Sequence, residues 1–560
     1  MIPNIFVLFS FYLIIIISLI GYGYLFERLF YREILESNFG YTGLRGIFLL
    51  IFYSFLSHFF FAHGYLHNVI LTLLGVIFFT FYILKDTKKK KYPLIILVNF
   101  FILFIGIIIF KTHDDFPFYH FPYSYYITQN PLHIGVGLFN SGFKTPSSIF
   151  YLNSLFYLPI IKYYSFYIAT LAIMLFSNTI LLSNIIHKIK LKKINYKFYL
   201  SLLFFIFINI FFYRIQEHGT DRSAQILILI LFLQLLSFIN FDLNYKKKLD
   251  IILVLLGIII SLKAFYVLYL ILSLPILFIL YKKKKLFIIN ELFRNKIFYI
   301  LSSLIILILI TYYLNSGCLI YPVYQTCFDG LPWSTGSDEV RKMNEWYQQW
   351  AKAGATPNFR VENPQSYIIE FNWVKNWFDT YFFNKVSDFL LGLLAVCLIT
   401  SAIYFNKQAK KIKLNNDIFL IYLFFILLLL EWFINHPALR YGGYSLIAII
   451  FFFPTSIFLS KINMSRKNIF KRTLLIILIV ATVFLLRNIN RINNEIKKYN
   501  YQPILKTYYR LNDEHFRIQN KFNKLITNLN NCEENNNKCS KELNNKIKKV
   551  FNNTYMFLNK

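Results

Sequence analysis

Several short runs of this 560-residue chain crowd acids, bases and cations together. The first holds His113, Asp114, Asp115, Tyr119 and His120. A carboxylate placed against a hydroxyl or amine acts as a general base. Adjacent carboxylates also hold a divalent cation against a phosphate. The plain alternative is a solvated polar cap at a helix end. A second run, residues 214–222, packs Arg214, Glu217, His218, Asp221 and Arg222 closely. Such a knot either pairs internally or binds something polar. A third feature is Lys263, a lone cation among apolar residues. Its ammonium either meets a lipid-linked phosphate as a point charge or snorkels to the interface. The last run, from Glu431 to Tyr444, contains His436, Arg440, Tyr441, Gly442 and Gly443. The guanidinium fork of Arg440 suits a phosphate or diphosphate. The glycines let backbone approach a partner closely. His436 is a base, a ligand or a packed turn residue.

The elements that must position these residues are apolar. The chain is 57% hydrophobic and 20% aromatic, with only 15% charged residues and a mean hydropathy of +0.50. A helix needs about 20 apolar residues to cross hydrocarbon. Runs of that kind fall near 4–22, 46–62, 66–84, 93–110, 163–186, 198–213, 223–240, 249–262, 265–281, 298–314, 386–404, 418–434, 444–460 and 473–488. The expectation is an all-α polytopic membrane protein of about 14 spans. Residues 1–20 contain no Lys or Arg and no small-residue cleavage site, so they read as a retained first helix.

Charge then assigns sides. The net charge of +32, from 59 Lys and Arg against 27 Asp and Glu, would suggest nucleic acid in a soluble protein. Here the cations sit in short runs between spans, as at Lys88–Lys91, Lys246–Lys248 and Lys282–Lys285. That is the positive-inside pattern, and membrane lipids rather than nucleic acid are the expected partner. Segments 23–45, 85–92, 187–197, 244–248, 282–297, 405–417 and 461–472 are then cytoplasmic. Residues 249–281 have basic runs on both sides and must form a hairpin, with Lys263 at its outer tip. Segments 111–162, 214–222, 315–385 and 435–443 face outward, as do both termini. Every chemistry-bearing run therefore falls on one face.

The chain divides into N-terminal helices (1–92), a membrane module (93–314) carrying the acidic outer loop 111–162, a Trp-rich outer loop (315–385), C-terminal helices (386–488) and a Lys- and Asn-rich outer tail (489–560). Tyr123, Tyr125 and Tyr126 in the acidic loop read either as an interfacial belt or as a carbohydrate-stacking surface. Cys318 with Cys327, and Cys532 with Cys539, are disulfide candidates in an oxidising compartment. Cys397 lies within a span and reads as packed.

The order and sidedness of these motifs resemble the GT-C superfamily of membrane glycosyltransferases. Asp114 and Asp115 look like that family's acidic pair at the start of the first large outer loop. Residues 257–264, ending in Ser261, Leu262, Lys263 and Ala264, are similar to the Leu-x-Lys-Gly helix end of its protein mannosyltransferase and aminoarabinose transferase branch, with Ala264 in place of Gly. Pro437 to Tyr441 looks like the branch's late Pro-x-x-Arg-Tyr turn. The acidic loop here follows the fourth helix rather than the first, and the Trp-rich loop lacks a simple counterpart. The run Gly317 to Pro322, followed by Cys327, Pro332 and Trp333, also resembles poorly characterised bacterial membrane proteins.

The resemblance implies a polyprenyl-phosphate sugar donor and an outward-facing glycan, lipid or protein acceptor. It implies Asp114 or Asp115 as the catalytic base. Arg440, with Lys263, Arg222, His436, Tyr441 and His113, would bind substrate. It implies a bacterial cytoplasmic membrane and inversion at the anomeric carbon. The sequence identifies no particular cofactor, and a divalent metal is compatible with the paired carboxylates. An O-antigen ligase or polymerase would rely on Arg440 and His436 instead. A glycolipid flippase would need charges at mid-membrane, where the spans hold few.

Overall fold

The computed structural model describes residues 3–31, 38–85, 93–241, 244–355, 361–406, 415–506, 509–534, 543, 546–551 and 554–559. It shows a multi-pass helical membrane protein. Among the described residues, 11 helices are long and apolar enough to span a bilayer. They are Ile5–Tyr31, Phe39–His58, Tyr65–Leu84, Tyr163–Lys190, Gly219–Phe238, Ala264–Lys282, Lys296–Ser316, Val374–Tyr404, Asp417–Asn435, Gly443–Ser460 and Arg466–Tyr499. The remaining expected spans fall on helices Pro93–Phe104, Tyr196–Phe211 and Tyr245–Leu262. The first two are short, and the third begins with Lys246, Lys247, Lys248 and Asp250, which dilute its apolar run.

Burial separates central from peripheral helices. The apolar window of Tyr163–Lys190 is 100% buried and that of Gly219–Phe238 is 83% buried, against 28% for Val374–Tyr404 and Arg466–Tyr499. A helix that is apolar all round and wholly covered belongs to the middle of the bundle. The first helices pack through glycine. A Cβ added to Gly46 would lie 1.9 Å from the Leu19 carbonyl oxygen, and one on Gly21 would lie 1.8 Å from that of Gly75. Small residues let membrane helices touch backbone to backbone.

The chain does reverse at Lys263. That residue is extended between Tyr245–Leu262 and a 3₁₀ segment, Ala264–Leu272. Lys246, at the start of the first arm, pairs with Glu291 beyond the second at 2.6 Å. Both arms therefore start and finish at the same end of the bundle.

At the opposite end, the acidic loop folds into short helices, Phe116–His120, Phe121–Gln129, Val136–Phe139, Ser141–Lys144 and Ser148–Ser154. The tail lies over them. Its helix Asp513–Glu534 places Phe516 on Phe121 and Tyr125, and Phe522 on Tyr126 and His133. A two-stranded antiparallel hairpin, Ile547–Phe551 with Thr554–Phe557, adds a small β element that the all-α expectation did not contain. Met556 bridges to Ile134, tying the hairpin to the same loop.

Cys318 and Cys327 form a disulfide. Cys539 lies outside the described residues. Cys397 is buried and free.

Candidate functional site

The turn after Asn435 is held by side chains from several elements. Trp377 Nε1 donates to the Pro437 carbonyl at 2.8 Å, and Trp432 Nε1 donates to that of Ala438 at 2.9 Å. The Leu439 amide donates to Tyr381 Oη, and Gln225 Nε2 donates to the Arg440 carbonyl, both at 2.9 Å. Gly442, at φ 105°, closes the turn in a conformation that a side chain would resist. The backbone bearing Arg440 is thus fixed before any ligand arrives.

From that turn Arg440 reaches two carboxylates. Its Nη2 lies 3.6 Å from Asp115 Oδ2, and its Nε lies 3.5 Å from Asp221 Oδ2. Asp221 in turn takes a 2.7 Å hydrogen bond from Lys263 Nζ. The result is an alternating series, Asp115, Arg440, Asp221, Lys263, drawn from the acidic loop, the late turn, the start of a central helix and the hairpin tip. Asp221 sits in the first turn of Gly219–Phe238, where the helix dipole favours a negative charge. The Tyr266 hydroxyl donates to the Asp221 carbonyl at 3.3 Å.

Aromatic rings wall this series. The Arg440 guanidinium lies 4.9 Å from the Trp350 ring, and Lys263 Nζ lies 4.4 Å from that of Tyr441. Both distances suit cation–π attraction. The Tyr119 hydroxyl donates to Asp115 Oδ2 at 3.3 Å. His113 Nδ1 accepts the Asp115 amide at 3.0 Å, so its proton is on Nε2 and its 3.7 Å approach to the carboxylate is no ion pair. Burial holds the His113 imidazole below its ordinary pKa, consistent with a neutral ring.

The expected residues divide clearly. Asp115, Arg440, Lys263, Tyr441 and His113 meet at one place. Asp114 does not: it is exposed and, among the described residues, forms no ion pair. Arg222 pairs with Glu217 at 4.0 Å, and its charge also acts on Asp221 and His113. His436 packs its ring on Phe265 and Tyr441, and burial pushes its pKa down to about 4. Tyr123 and Tyr126 are fully buried, stacked among Phe143 and Phe522, so they offer no carbohydrate surface. Trp373 and Trp377 are likewise buried and anchor the Trp-rich loop to the Arg440 turn, whereas Trp350 faces the cluster. Asp221 and Tyr119 are members that the expected set did not contain. The available signal for Asp221 was its place in the crowded polar run 214–222 just before an apolar span. Among the described residues, no group of three or more His, Cys, Asp or Glu side chains is arranged to hold a metal ion.

Residues 5–447 match the family model described as "Domain of unknown function (DUF8201)", and the chain belongs to that family. No curated protein and no solved structure matches it.

Proposed function

We propose that this member of the DUF8201 family is a membrane glycosyltransferase that moves a sugar from a polyprenyl-phosphate-linked donor to an extracytoplasmic acceptor. The observation that carries the reading is the pairing of Asp115 with Arg440 at the end of the bundle away from the basic loops. By the positive-inside rule that end faces outward.

In this reading Asp115 removes a proton from the acceptor hydroxyl as its oxygen attacks the anomeric carbon. The bond from that carbon to the phosphate oxygen breaks, and negative charge grows on the departing phosphate. Arg440 and Lys263, the cations beside Asp115 and Asp221, are the groups that would offset it. Asp221 acts as a positioning residue, since it holds both cations through its two oxygens. The 3.6 Å Asp115 to Arg440 separation is longer than a charge-assisted hydrogen bond, and both side chains are about one third exposed. Substrate can therefore part them at little cost.

The test is transfer by the purified protein in proteoliposomes given a polyprenyl-phosphate sugar. Asp115→Asn should abolish transfer, and Asp114→Asn should retain most of it. An enzyme that used Arg440 and His436 without an acid, as O-antigen ligases and polymerases do, would stay active as Asp115→Asn. That result would overturn the assignment.

A further inference from the structure

Beside the Asp115 cluster lies a second group of cations whose charge is not matched. Arg214 Nη1 lies 3.3 Å from Glu217 Oε2, and Arg491 Nη2 lies 2.9 Å from Glu217 Oε1. Arg222 Nη1 approaches the same carboxylate at 4.0 Å. Arg487 stacks on Tyr213 at 3.7 Å, and the Tyr213 hydroxyl accepts from Arg214 Nε at 2.9 Å. Glu495 is the other nearby acid. Its oxygens accept from the amides of Phe110 and Lys111, at 2.5 and 3.3 Å, and its charge also acts on Arg491, so two carboxylates face the four guanidinium groups.

Four guanidinium groups thus converge on Glu217 and Tyr213. This contrasts with the Asp115 series, where two cations face two carboxylates and the charges balance. A buried guanidinium nitrogen without an acceptor is costly. Arg222 Nη1 and Arg491 Nη1 are both buried, and neither makes a hydrogen bond. Two carboxylates, one of them bonded to backbone amides, have too few lone pairs for so many forked donors. A tetrahedral oxyanion would supply the missing acceptors, and bidentate arginine contacts fit its geometry.

Position narrows the ligand. Arg214 follows helix Tyr196–Phe211, Arg222 opens Gly219–Phe238, and Arg487 and Arg491 follow the apolar part of Arg466–Tyr499. The end of the first helix and the start of the second meet Arg466–Tyr499 at Arg487 to Arg491, about two to three turns before its C-terminus. Beside the arginines, Leu486 and Ile489 point outward and are exposed. The site is therefore polar on one side and bordered by exposed apolar side chains on the other. That is the environment of a phosphate on a lipid headgroup.

We infer that Arg214, Arg222, Arg487 and Arg491 form a phosphate-binding site at the membrane edge that takes the headgroup of an anionic lipid. The inference does not rest on sugar transfer at Asp115. Purified full-length protein in neutral detergent would be titrated with dioctanoyl phosphatidylglycerol, dioctanoyl phosphatidylcholine and inorganic phosphate. Binding would be read from the melting temperature and from native mass spectrometry. Phosphatidylglycerol should bind and raise the melting temperature, and Arg222→Gln with Arg491→Gln should weaken it by about tenfold or more. Arg214→Gln with Arg487→Gln, at more exposed positions, provides the same test if the first pair fails to fold. Inorganic phosphate binding with the same arginine dependence would show that the phosphate alone suffices. Binding of the lipid alone would show that the acyl chains contribute. Equal binding of phosphatidylcholine and phosphatidylglycerol, or binding unchanged in both arginine pairs, would overturn the inference.

Discussion

At the residue scale, the two adjacent aspartates have different surroundings. Asp115 touches His113, Tyr119 and Arg440, whereas Asp114 points to solvent. On the proposed mechanism Asp115→Asn keeps the shape and removes the proposed base, so transfer should fall by about 10²–10⁴-fold in an initial-rate assay. Asp114→Asn should stay within a few fold of wild type. Arg440→Lys keeps the charge but loses the fork held between Asp115 and Asp221, so kcat/KM should drop by about tenfold or more. The sequence made Asp115, Lys263 and Arg440 legible because each is a charge at the end of an apolar run, where a charge has few structural uses. It could not separate Asp114 from Asp115, because that choice depends on how the short helix Phe116–His120 starts. It did not bring Asp221 into the set, because Asp221 joins only through partners on two distant segments.

At the scale of elements, the first helices and the tail supply the clearest tests. Arg45 Nη1 lies 2.6 Å from Glu27 Oε1, and both side chains are almost wholly buried. Arg45→Met leaves the Glu27 charge uncompensated and should cost about 3–5 kcal/mol. Glu27→Met with Arg45→Met should recover most of that loss, measured as unfolding midpoint in detergent. The tail helix rests partly on His133, whose ring stacks on Phe522 at 5.3 Å. Burial pushes the His133 pKa down to about 4, below an unfolded value near 6.5. Folding thus favours the neutral ring. That contribution is complete above pH 6.5 and is lost as pH falls towards 4. Limited proteolysis of the tail should accelerate over that window in wild type and less so in His133→Phe. None of this docking was legible beforehand. The tail's Lys- and Asn-rich composition hid His515, Ile518, Gln519 and Phe522, which are spaced to bury one face of the helix, and the flanking Tyr509 and Phe516.

At the scale of the whole molecule, hydropathy located every helix in the bundle, because a lipid-facing helix must be apolar along its length. It counted about 14 spans, whereas 11 of the described helices are long and apolar enough: Pro93–Phe104 and Tyr196–Phe211 are short, and charges open Tyr245–Leu262. The sidedness proposed from the basic loops predicts a labelling pattern. Ser337→Cys should react with an impermeant maleimide in intact cells, and Lys284→Cys only after permeabilisation. The bundle then presents a charge-balanced cluster and an arginine-rich edge on the same face.

The most direct test of the central claim is a structure of the protein bound to a non-transferable polyprenyl-phosphate sugar analogue. The proposed mechanism puts the analogue's phosphate beside Arg440 and Lys263. Its anomeric carbon should face Asp115, leaving room for one acceptor hydroxyl within about 3 Å of the carboxylate. A sugar held away from Asp115, with Arg440 still closed onto both aspartates, would contradict it.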